Sequence, residues 1–184
     1  MKLKIWALLL VFLTCSLGAA DFSIEKAMRI DAFMKKVAKN NRKVPFLRKI
    51  TFTQHELNSY LNLIYLKKYA PEVKFLELIL DKENMVSGSM KVKLTGEKYD
   101  KVPSFLKDFE LEFSGSVETE NRRMRYIFEN IRINGTNFSP EILDEAFGAA
   151  QTDFKVQKSM FDWFSLMPGL KNVKIDYRKI TLFY

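Results

Sequence analysis

Residues 109–118 alternate without a break: Phe109, Leu111, Phe113, Gly115 and Val117 against Glu110, Glu112, Ser114, Ser116 and Glu118. A period of two places one set on each face of a strand, whereas a helix would spread both sets around its circumference. Such a strand buries one face and hydrates the other, so it needs antiparallel neighbours and an apolar cover. Residues 122–133 supply the first neighbour, with Met124, Tyr126 and Phe128 alternating. The apolar set then shifts to Ile131 and Ile133, which predicts a bulge near Asn130. A two-residue turn at Glu120-Asn121 would set Val117 against Met124, Gly115 against Tyr126 and Phe113 against Phe128. On the polar face Glu118 would meet Arg123.

Further strands are expected upstream at residues 73–80 and 85–94, joined by Asp81-Lys82-Glu83-Asn84. The second alternates, with Met90, Val92 and Leu94 opposed to Lys91 and Lys93. The first is apolar on both faces, the pattern of a covered central strand. Before them, the β-branched run Ile50-Thr51-Phe52-Thr53 leads into a helix. Thr53 and Glu56 form a capping box, and Leu57, Tyr60, Leu61 and Ile64 fall on one face with Tyr65 on its flank.

Residues 22–39 read as an amphipathic helix with Ile30, Phe33, Met34 and Val37 in its stripe. Residues 95–108 form a loop long enough to act as a flap. Asn134-Gly135 is a turn, and Ser139-Pro140-Glu141 opens a helix whose apolar face includes Ile142, Leu143, Ala146 and Phe147. Residues 173–183 read as a final strand with a change of phase at Lys179. The sum is a single α+β domain, a curved antiparallel sheet of about five or six strands wrapped by amphipathic helices.

Three segments divide the chain. Residues 1–20 have the form of an export signal: Lys2 and Lys4, an apolar run over residues 5–13, then small residues up to Ala20. Residues 21–49 hold the basic helix and its linker, and residues 50–184 the curved-sheet domain. Cys15 is the only cysteine and lies within the signal. Cleavage after Ala20 leaves a chain with no disulfide, thiolate metal site or cysteine nucleophile. The alternative is a lipoprotein acylated at Cys15.

The chemistry available to an enzyme is narrow. His55 is the only histidine, and the seven glycines form neither a phosphate loop nor a nucleophile elbow. A hydrolase of envelope glycans resting on Glu110 and Glu112 is the remaining enzymatic option; solvated ion pairing with Arg123 and Arg125 explains those carboxylates more simply. No cofactor or metal is implied. Lys35, Lys36, Lys39, Arg42, Lys43, Arg48 and Lys49 crowd one acid-free window. In an exported protein they suit an anionic membrane surface better than nucleic acid. Sixteen Phe, seven Tyr, two Trp and eight Met give a large, deformable apolar supply able to line a groove as well as fill a core.

The order ITFTQHELNSYL, two alternating hairpins, INGTNFSPEIL and LMPGLKNVKIDYRKITL resembles the mycobacterial-type periplasmic phospholipid-binding proteins of the tubular lipid-binding (TULIP-like) superfamily, over residues 50–184. The resemblance implies a bent sheet wrapped on a long helix with an acyl chain in its groove, and no catalytic residue. The chain departs from that pattern in its separate basic helix and its shorter C-terminal half.

The expected function is non-enzymatic storage or transfer of a lipid or other amphiphile at the periplasm or cell envelope. The expected lining is Phe75, Leu78, Met90, Val92, Phe113, Tyr126 and Phe128 from the strands, with Leu57, Leu61, Ile64 and Phe147 from the helices. A structural or inhibitory envelope protein that docks a protein partner is the competing expectation. Export is checked by the intact mass of protein recovered from its host. A mature chain beginning at Asp21 is expected; an acylated Cys15 or a retained Met1 contradicts cleavage at that site.

Overall fold

The structure is a computed structural model and describes residues 22–39, 47–97, 100, 104, 107–142 and 162–184. The export signal with Cys15, Arg42, Lys43, half of the expected flap and Phe147 lie outside the described residues.

Helix α1 (Ile24–Lys39) is followed by β1 (Lys49–Thr53) and α2 (Gln54–Tyr60). From α2 the chain runs without interruption into a π-helical stretch (Leu61–Tyr65) and a last turn, α3 (Leu66–Tyr69). Strands β2 (Val73–Leu80), β3 (Met85–Lys93), β4 (Asp108–Glu120), β5 (Arg123–Ile133) and β6 (Thr136–Phe138) then form an antiparallel sheet in sequence order. The short β7 (Phe164–Ser165) pairs with β5 as its sixth strand. A second sheet joins β1 to the C-terminal hairpin of β8 (Asn172–Asp176) and β9 (Lys179–Phe183), in the order β1-β9-β8.

The expected final strand over residues 173–183 is therefore a hairpin. Its change of phase at Lys179 is a reversal through Tyr177 and Arg178, with Arg178 at φ 55° and Asp176 opposite Lys179. The β4–β5 register also differs from expectation, by two residues. The turn sits at Asn121 and Arg122, both at positive φ, so Val117 faces Tyr126, Gly115 faces Phe128 and Glu118 faces Arg125. Two left-handed residues give a hairpin the twist of its strands, and asparagine occupies the first such position more readily than glutamate. The bulge falls where the phase shift predicts it. Ser114 pairs with Asn130 while Gly115 pairs with Phe128, leaving Glu129 as the extra residue.

Strand β2 is an edge strand and not a central one. Its outer edge is nevertheless closed, by side chains. The Gln54 carbonyl accepts from the Leu80 amide at 2.8 Å. Asn58 both accepts from the Leu78 amide (3.0 Å) and donates to the Leu78 carbonyl (2.9 Å). Asn62 does the same at Leu76, at 2.9 and 2.6 Å. The Leu80 carbonyl takes the Arg178 amide at 3.0 Å. Each asparagine amide thus stands in for a peptide group of a missing neighbour strand.

Geometry makes this possible. Four helical residues rise about 6 Å and two strand residues about 6.7 Å, so amides at i, i+4 and i+8 keep pace with alternate strand residues. Four α-helical residues also overshoot a full turn by about 40°. The π stretch, with its Leu66 amide bonded back to the Leu61 carbonyl, begins as the last of the three amides, Asn62, is reached.

The capping box forms as the sequence predicts. The Thr53 hydroxyl accepts from the Glu56 amide at 3.2 Å, and the Glu56 carboxylate accepts from the Thr53 amide at 2.7 Å. Arg29 of α1 donates to the same buried carboxylate. Burial pushes the Glu56 carboxyl up, but the Thr53 amide and the Arg29 guanidinium outweigh it and hold it below the usual carboxylate range. Phe52, with Phe33 and Leu80, anchors a core shared by α1, both sheets and the segment around Leu170.

Replacing Asn58 by Ala leaves the Leu78 amide and carbonyl without their partner, at a cost of about 2–4 kcal/mol. Urea unfolding checks this. Asn58→Leu, which restores bulk without hydrogen bonds, should recover less than half of the loss, whereas the exposed Lys74→Ala should change stability by under about 0.5 kcal/mol.

Candidate functional site

Antiparallel register decides which of the expected groove residues meet. Opposite Val92, Met90 and Val86 on β3 stand Phe109, Leu111 and Gly115 on β4, and Gly88 faces Phe113. Next in line on β5 are Ile133 opposite Leu111, Ile131 opposite Phe113, Phe128 opposite Gly115 and Tyr126 opposite Val117. On β2, Leu78 faces Gly88 and Leu80 faces Val86. Directly opposed residues share a face. Leu78, Met90, Val92, Phe113, Tyr126 and Phe128 therefore lie on one side of the sheet.

Phe75 does not. Phe75 pairs with Lys91 on the opposite face, where its ring meets Phe22 at 6.0 Å. It stands three residues from Leu78 in an unbroken register, so plain alternation already separates the two; the bulge between Val73 and Phe75 alters only the face of Val73.

The apolar face is divided between two clusters. Near the second sheet, Leu80, Val86 and Val117 join Val173, Ile175 and Leu182, with Leu78, Tyr126 and Leu57 packed against them. Toward the far end, Val92, Phe109, Leu111, Ile131 and Ile133 are buried, with Met90, Phe113 and Phe128 at their margin. Phe113, Tyr126 and Phe128 bridge the clusters as edge-to-face rings, with centroids 4.5–6.4 Å apart. All three are half-buried.

Gly88 makes room for one of them. A methyl group there would come within 2.9 Å of the Phe113 ring and 2.4 Å of the Glu77 carbonyl oxygen. Gly115 serves the bulge instead, since a methyl group on it would meet the Ile127 carbonyl oxygen of β5 at 2.0 Å. The Tyr126 hydroxyl donates to the Val86 carbonyl at 2.6 Å, and burial, aided by the Glu129 charge, pushes its pKa far up. It acts as a fixed donor and not as an acid.

The helical contribution is smaller than the periodicity suggests. Leu57 packs against the first cluster, while Leu61 and Ile64 are half-buried and belong to neither. The buried residues of the second helix are Glu56, Asn58, Ser59 and Leu66. The missed signal is the spacing of Gln54, Asn58 and Asn62, three amides at intervals of four beside a strand that is apolar on both faces.

On the opposite face the carboxylates are ion-paired. Glu118 binds Arg125 at 2.6 Å, Glu112 binds Arg132 at 3.3 Å and Lys91 approaches Glu110 at 4.0 Å. Each is about half exposed, the state of a hydrated charged face. Among the described residues no group of His, Cys, Asp and Glu is placed to hold a metal, and no helix is long and apolar enough to cross a membrane. Of the basic window, Lys35, Lys36, Lys39, Arg48 and Lys49 are described and exposed, Lys35 being paired with Asp31 one turn away. A concavity of about 440 Å³ lies beside the β4–β5 turn, walled by Arg122, Arg123, Met167 and Leu170. It is a separate, mostly polar feature.

Compared with family models, curated proteins and solved structures, the chain matches none.

Proposed function

We propose that the chain is an exported, non-enzymatic protein of the cell envelope that binds a lipid or similar amphiphile on the apolar face of its six-stranded sheet. One observation carries the reading. The centre of that face is a row of half-buried Phe113, Tyr126 and Phe128, flanked by Met90, between two buried clusters. A face meant only as core would have no need to leave three aromatic rings partly exposed at its centre. Such rings, with a flexible methionine beside them, form an adaptable surface for an alkyl chain.

The energetics suffice without specific polar contacts. Burying a methylene is worth about 0.8 kcal/mol, so ten give about 8 kcal/mol before ordering costs, enough for reversible binding. The resemblance to tubular lipid-binding proteins points the same way, as does the weakness of any carboxylate-based site among the ion pairs of the other face. Basic residues from Lys35 to Lys49 favour an anionic envelope surface over a neutral one.

Native mass spectrometry of protein purified from its own host, followed by lipid extraction, tests the reading. A co-purifying amphiphile is expected for the wild type. It should be lost in Phe128→Asp and Met90→Lys variants that keep wild-type circular dichroism. A ligand-free wild type, or retention of the ligand in both variants, contradicts it.

A further inference from the structure

A second apolar surface lies away from that face, on the two helices. Ile24 and Met28 of α1 are 59% and 60% exposed, and Tyr65 and Tyr69 of the second helix 40% and 60%. Helical spacing puts Ile24, Met28, Asp31 and Lys35 on one flank of α1, beside its buried stripe of Ala27, Ile30 and Val37. α1 lies along the second helix, in contact with α2 and with the Leu61–Tyr65 stretch, and the Ser23 amide donates to the Ser59 hydroxyl at 3.1 Å. Tyr60, Tyr65 and Tyr69 stack along the helix with centroids 6.3 and 5.1 Å apart. The Lys68 ammonium stands 4.8 Å from the Tyr69 ring.

Soluble proteins seldom leave large apolar side chains clustered in water without a partner. The chemistry around this cluster selects the partner. Lys35, Lys67 and Lys68 are exposed at its edge; of its acids, Asp31 is taken up by Lys35 and Glu25 is exposed beside Ile24. Tyrosines with an apolar body and a wet hydroxyl, lysines with long stems and ammonium tips, and two aliphatic side chains at one level are the composition of a membrane–water interface.

We propose that the Ile24–Met28 flank of α1 and the Tyr65–Tyr69 end of the second helix form a docking surface for an anionic lipid bilayer. This rests on the amphiphile-binding reading and names the surface from which the amphiphile is taken or to which it is delivered. The docking surface is centred on Tyr69 and Lys68, outside the Arg48–Lys49 part of the basic window. Lys67 and Lys68 supply the attraction, which falls with salt; the tyrosines and Met28 supply the insertion.

Sedimentation of the mature chain with phosphatidylcholine vesicles, with and without added phosphatidylglycerol, tests this. Wild type should partition onto the anionic vesicles alone, and less so as salt is raised. The double variant Lys67→Glu/Lys68→Glu and the double variant Tyr65→Ser/Tyr69→Ser should each bind about tenfold or more weakly, with Lys174→Glu/Lys179→Glu, exposed lysines of the second sheet, unchanged within about twofold. Equal binding by wild type and both patch variants overturns the proposal. So does equal binding to neutral vesicles, and so does a concentration-dependent dimer abolished by Tyr65→Ser/Tyr69→Ser, which would assign the patch to a second copy of the chain. Patch variants that still co-purify with lipid when vesicle docking fails leave the amphiphile-binding reading intact and remove the docking surface alone.

Discussion

An edge strand exposes a row of peptide groups that must find partners, and in this molecule a helix supplies them. Leu76, Leu78 and Leu80 point their amides and carbonyls away from β3; Gln54, Asn58, Asn62 and the Arg178 amide meet all of them. A peptide group left dry and unpaired costs about 1–3 kcal/mol, so the row is a constraint that the remaining structure must respect. Its solution fixes where the second helix lies and which way it rotates. With asparagines turned to the strand, Glu56 and Ser59 face α1. The Arg29 ion pair and the bond from the Ser23 amide to the Ser59 hydroxyl then hold α1 in place.

The same closure leaves the sheet asymmetric. One long edge is sealed by the second helix, and the near end is covered by the three-stranded sheet through Asn84, whose side chain accepts from the Ile175 amide at 2.8 Å. The charged face is hydrated and ion-paired. Among the described residues, what remains is the middle and far part of the apolar face, where Gly88 leaves room for the Phe113 ring. A device that serves strand pairing thus also determines which part of the apolar face the described helices leave uncovered. The helices that do the sealing present their outer flanks, with Tyr65 and Tyr69, to solvent.

Much of this was legible in the chain itself. Strict alternation over residues 109–118 specifies β4 and its faces, the phase shift at Ile131 locates the bulge, and Thr53 with Glu56 marks the start of the second helix. Elsewhere, long-range partners overrode local pattern. Gln54, Asn58 and Asn62 look like a solvated stripe until a strand edge is set beside them. The β4–β5 turn sits one residue later than expected because left-handed backbone suits Asn121 better than Glu120; that changes the pairs up to Gly115 by two, and the bulge at Glu129 adds one more at Phe113. Tyr177-Arg178 carries no glycine or proline, so the hairpin there reads as one strand. Phe75 faces away from Leu78 by alternation alone, an odd position beside an even one, which the apolar character of both faces of β2 hides. Six of the seven expected strand residues still reach one face, since face depends on parity and survives a register error of two.

The sealed edge makes a direct demand on backbone amides. In native-state hydrogen exchange, Leu76, Leu78 and Leu80 should be protected as strongly as the β3 and β4 amides between them and the sheet centre, opening only with global unfolding. Asn58→Ala and Asn62→Ala should each release protection chiefly at the opposite leucine, Leu78 and Leu76 respectively. Fast exchange at all three leucines in the wild type, at the rate of an open sheet edge, would contradict the account at its root.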